Sequence, residues 1–120
     1  MAYDETTAER VRELLSSLPD VAEREMMGGL CFMVREHMCC SVSGRGGLMV
    51  RVGTDGYDAA LREPHVRPIE MAGRTMTGFV RIAPEGYRTG ASLKAWLNRA
   101  FDFVATLPAE RSSKRLRSEK

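Results

Sequence analysis

The sequence predicts a two-layer α+β domain, an antiparallel sheet of about five strands with helices on one face. Three observations carry that reading. Helical periodicity opens and closes the chain, and four short segments rich in Val, Met, Phe and Cys lie between Val21 and Val52. The following stretch alternates one short helical piece with extended ones. At 120 residues, 43% hydrophobic and 28% charged, the chain fits one domain with one modest core.

The elements follow in order. Thr6-x-x-Glu9 has the form of a capping box, and Ala8, Val11, Leu14, Leu15 and Leu18 recur at helical spacing. This predicts a helix over 5–18, stopped by Pro19, with Arg10, Arg12 and Glu13 turned to water. AEREMM, LCFMVR, MCCSVS and LMVRV then read as a meander, with Gly28-Gly29 and the glycines of SGRGG at its turns. Thr54 is placed to cap a short helix through Arg62, closed by Pro64. VRPIEM contains Pro68 and so belongs at an edge or in a loop, and TGFVRIA is a further strand. Ser92 caps the last helix, whose stripe of Leu93, Trp96, Leu97, Ala100, Phe101, Val104 and Leu107 ends at Pro108. A domain over 1–108 and a basic, disordered tail over 109–120 are the expected organisation.

Charge is unevenly placed. Within PAERSSKRLRSEK, five bases against two acids leave +3, so the rest of the chain carries −1 of the net +2. Such a tail adds weak, salt-dependent affinity for nucleic acid, or simply solvates the end of the fold. No apolar run approaches the roughly 20 residues of a membrane span. The acidic start, MAYDETTAER, has no signal-peptide character, and three cysteines do not make a secreted framework. A cytoplasmic protein with reduced thiols, not engaged with a membrane, is expected.

The thiols are the only hint of chemistry. Cys39 and Cys40 are adjacent, so strand alternation points them to opposite faces and no four-ligand metal site can be assembled around them. A two-residue turn at Arg35-Glu36 sets Cys31 directly opposite Cys40, with Cβ atoms about 4.5–5.5 Å apart. A turn at Glu36-His37 makes them diagonal neighbours, and an odd loop pairs the face of Cys31 with Cys39. Buried thiols acting as small hydrophobes are the plain reading, with a Cys31–Cys40 redox pair as the sharper one. His37 and His65 sit in or near turns with no carboxylate at a base–orienter spacing, and Ser41 and Ser43 lack a nucleophile elbow. Gly28-Gly29 is no phosphate loop, because no G-K-[ST] follows. Arg51 in LMVRVG and Arg81 in FVRIA interrupt apolar runs, so they face outward or pair with acids. With Arg74 they are candidate anion or nucleic-acid contacts, joined by Arg111, Lys114, Arg115 and Arg117 of the tail. No catalytic residue, metal or cofactor is assigned.

Met26-Met27-Gly28-Gly29, LCFMVREHMCCSV, LMVRVG, MAGRTMTGF over 71–79 and the Trp96 helix ending at Leu107-Pro108 resemble, in this order, the N-terminal domain of the TfoX/Sxy competence-regulator family. The resemblance spans about residues 1–108. The family usually has an aromatic residue where Met27 stands, often Pro where Thr75 stands, and often Asn-Gly where Arg35-Glu36 stands. That last correspondence favours the register with Cys31 opposite Cys40. The resemblance implies a fold like the type III secretion chaperones, α-β(3)-α-β(2)-α, with a tendency to dimerise and no catalytic residues to carry over. A non-enzymatic regulatory or protein-interaction module, homodimeric through an open sheet edge or an apolar sheet face, is therefore expected. A nucleic-acid-associated regulator and a thiol-dependent enzyme are the alternatives.

Overall fold

The computed structural model describes residues 3–16, 18, 20–26, 28–44 and 46–107. Its elements run α1 (Glu5–Leu15), β1 (Val21–Met26), β2 (Gly29–Val34), β3 (His37–Ser43), β4 (Leu48–Arg51), α2 (Tyr57–Leu61), β5 (Val66–Met71), β6 (Arg74–Ile82), a 3-10 turn at Pro84–Tyr87, and α3 (Gly90–Val104). The α+β class is as anticipated. The sheet has six antiparallel strands in the order β1-β2-β3-β4-β6-β5, so four strands rather than three precede α2.

Helix α1 begins at residue 5 as expected, but all three capping residues differ from expectation. The N-cap of α1 is Asp4, whose carboxylate accepts from the Thr7 amide at 3.2 Å, displacing Thr6 from that role. For α3 the cap is Thr89, and Ser92 is the reciprocating member of the capping box rather than the cap itself. Gly56, not Thr54, precedes α2, with no side-chain cap. Helix α1 also stops at Leu15, three residues short of Leu18, which is exposed.

The core lies between one sheet face and the helices. Leu30, Phe32, Cys40, Val42, Leu48, Val50, Val80 and Ile82 supply the sheet side, and Val11, Leu15, Leu93, Trp96, Leu97, Ala100 and Val104 the helix side. Fully burying each large apolar side chain contributes about 1.5–3 kcal/mol, which is what fixes the register of the strands. Arg10 is half-buried rather than turned to water, because its guanidinium donates to the carbonyls of Tyr87 and Arg88 at 2.7 and 3.1 Å. Arg12 grips Glu23 of β1 at 2.6 and 2.9 Å, tying α1 to the edge strand.

The β2–β3 hairpin turns at Arg35-Glu36, both in the left-handed region with φ of 50° and 70°. The pairing then slips. Met33 faces Met38, but Phe32 faces Cys40, so Cys39 is an extra residue in β3. At the other end of the sheet, β6 bends at Gly78, where φ is 97° and the carbonyl accepts from both Val52 and Gly53 at 2.8 and 3.1 Å. The β5–β6 register shifts between Pro68 and Glu70, and Ile69, Glu70 and Ala72 beyond that shift share a hollow with Ser41 and Met49 on the sheet face that carries no helix. Pro68 sits in β5, the far edge strand, as its missing amide requires.

Candidate functional site

The helix-free face is built by strand alternation. Residues that do not point into the core form a line across all six strands: Arg24, Cys31, Ser41, Met49, Arg81 and Arg67, each opposite the next in register. Cys31 and Ser41 are buried there, and the Cys31 thiol donates to Ser41 Oγ at 3.5 Å. Ile69, in β5, is only 2% exposed although it lies outside the main core.

Two adjoining hollows result. The first, about 440 Å³, has Ser41, Met49, Ile69, Glu70, Ala72 and Arg81 in its wall. The second, about 460 Å³, is mainly apolar, with Met38, Met49, Met76 and Phe79 beside Arg74 and Thr75. Met49 and Ala72 belong to both. In the first, Arg81 is fixed by the β3–β4 turn, its Nη1 donating to Ser43 Oγ at 2.9 Å and to the Gly46 carbonyl at 3.3 Å.

The sequence-derived candidates separate. Arg81 and Arg74 line neighbouring hollows on one face. Arg51 joins neither. Its guanidinium lies 5.5 Å from the Phe79 ring centre and 5.3 Å from that of Phe103, so it is held by two aromatic faces instead of by acids. Burial lowers its pKa, with the nearby Cys39 opposing that shift. Arg111, Lys114, Arg115 and Arg117 lie outside the described residues.

The thiol register is a correction. Cys31 faces Ser41, not Cys40, because the extra residue Cys39 switches the parity of β3 and turns Cys40 into the core. All three cysteines are free and buried. Hydrogen bonding with Cys39, then burial, holds the Cys40 thiol well above the ordinary thiol range, the opposite of an activated nucleophile. His37 is half-buried in β3 and His65 exposed with φ of 67°. Among the described residues no group of three His, Cys, Asp or Glu is placed to hold a metal ion, and no helix is long and apolar enough to cross a membrane.

A family model described as the TfoX N-terminal domain matches residues 13–104, most of the chain and nearly every element above. The chain belongs to the TfoX N-terminal domain family. Neither a curated protein nor a solved structure gives a match. An apolar sheet face was expected as an interface, but the hollow around Ser41 and Arg81 on it was not anticipated. Interrupted apolar runs marked Arg81 and Arg51 as outward, whereas Met49, read as core like the other strand methionines, lies in the wall of both hollows, and Ser41, Ile69 and Glu70 come together only in the folded sheet. A glycine inside TGFVRIA was the one signal of the bend in β6.

Proposed function

We propose that the chain is a non-enzymatic regulatory module of the TfoX N-terminal type that pairs with a second copy of itself through the helix-free sheet face. The observation that carries this is the apolar hollow of Met38, Met49, Met76 and Phe79 on a face that no helix covers. Membership of a family of regulatory domains supports the regulatory part.

The two sheet edges argue against the other route to a dimer. Antiparallel pairing of β1 with its own copy needs a two-fold axis normal to the sheet, which keeps each residue on its face. Centring that axis on Glu23, Arg24 or Glu25 therefore sets two like charges face to face. The opposite edge, β5, lacks the amide of Pro68. Charge on one edge and proline on the other favour the face over the edges.

Sedimentation velocity over a broad concentration range tests this. A dimer is expected, with Met76→Glu shifting it to monomer while the circular dichroism stays unchanged. A monomer at every concentration overturns the reading.

A second reading, nucleic-acid association, draws on Arg67 and Arg81, which stand directly opposite each other on β5 and β6, with Arg74 in the adjoining hollow. Like charges so placed repel, and a phosphate between them relieves that. Binding to duplex DNA that falls steeply with salt and weakens in Arg67→Gln supports it, and salt-independent or absent binding removes it.

A further inference from the structure

We infer that the hollow around Ser41 and Arg81 is a binding site for a free α-amino acid with an apolar side chain. Its volume of about 440 Å³ lies within the ordinary range of small-molecule sites. The wall offers two donors, one acceptor and an apolar strip, each in a defined place.

The donors come first. Ser41 is 6% exposed and lines the hollow. Its oxygen bonds the Cys31 thiol at 3.5 Å, and its hydroxyl is free to rotate toward an acceptor in the hollow when the thiol donates. A rotatable hydroxyl paired to so weak a donor as a thiol is available to an acceptor arriving from the hollow. Arg81 spends Nη1 on Ser43 and Gly46, while Nε and Nη2 have no protein partner among the described residues. One guanidinium and one hydroxyl match a single carboxylate.

Glu70 decides between carboxylates. It stands in the same wall, and no ion pair among the described residues joins it to Arg81. Arg67, opposite Arg81 in register, is not in this wall, so Glu70 and Arg81 are its two charges. A phosphate or dicarboxylate brings excess negative charge against Glu70, a simple monocarboxylate forgoes Glu70 as a partner, and an amine forgoes Arg81. A zwitterion answers both. Met49, Ile69 and Ala72 then receive an aliphatic or thioether side chain. Nothing in this depends on self-association, so a monomeric protein leaves the inference intact.

The test is an amide-resolved NMR titration of the isotope-labelled full chain with leucine, with 4-methylpentanoate, which lacks the amine, and with 3-methylbutylamine, which lacks the carboxylate. Leucine at millimolar concentration is expected to move the amides of Gly29, Ser41, Glu70 and Arg81, with both analogues binding at least about tenfold more weakly. Arg81→Gln and Glu70→Gln should each reduce leucine affinity about tenfold or more while keeping a dispersed spectrum. No movement with leucine or with methionine overturns the inference. So does 4-methylpentanoate binding as well as leucine, or Glu70→Gln binding leucine as tightly as the parent chain.

Discussion

Two adjacent residues of the β2–β3 turn hold backbone that side chains disfavour. Arg35 and Glu36 both adopt left-handed φ values in a turn that Asn-Gly fills most easily. A side chain there costs about 1–2 kcal/mol relative to glycine, less what glycine loses in unfolded-state entropy. Glu36→Gly should therefore stabilise the fold by about 0.5–1 kcal/mol, read as an upward shift of the urea midpoint. Arg35 is the wrong position for the same change, because its guanidinium donates to the carbonyls of Val104 and Leu107 at 3.2 and 3.4 Å and closes the end of α3. The thiols lead to a second expectation. With all three buried and Cys40 poorly ionised, a thiol reagent should label none of them at neutral pH until denaturant is added, and mild oxidation should give no intramolecular disulfide. Rapid native labelling of Cys31 or Cys40 contradicts this. The location of the hairpin was legible from residue spacing and the family resemblance. The extra residue at Cys39 was not, since HMCCSV contains no glycine or proline to mark a bulge and strict alternation was the only available rule.

At the scale of elements, helix bodies were readable and helix caps were not. The stripe Leu93, Trp96, Leu97, Ala100 and Val104 is buried as its spacing requires. The cap assignments failed because several small polar residues compete within one turn, Asp4 with Thr6 and Thr89 with Ser92, and the winner depends on backbone angles that composition does not reveal. Asp4→Ala should cost about 0.5–2 kcal/mol by thermal denaturation, whereas Thr6→Ala should be near neutral. The junction of α1 with β1 has its own pH signature. The bonds from Arg12 hold the Glu23 carboxyl below the ordinary range, and those from Thr7 do the same for Asp4. Groups depressed on folding stabilise above their unfolded pKa, about 3.9–4.3, and lose that contribution as pH falls through the folded values. Acid titration of Glu23→Gln should accordingly show a shallower loss of stability below about pH 4 than the parent chain.

For the whole molecule, fold class was legible because two periods alternate along the chain, whereas the candidate site needs four strands to exist. Arg81, Ser41 and Glu70 are separated by up to forty positions, and no local pattern links them. The placement of α3 has a further consequence, for how the chain reaches its native state. This helix follows every strand in the sequence yet packs on β3 and β4 at the centre of the sheet. During synthesis the strands emerge first, with Leu48, Val50, Val80 and Ile82 open to water until residues 90–104 arrive. A chain cut after residue 88 should remain a sticky intermediate that binds a hydrophobic dye and precipitates, and a separate peptide of residues 89–107 should restore its solubility. Folding of this sheet thus waits for α3, and the nascent strands are a natural client for a chaperone until it is made.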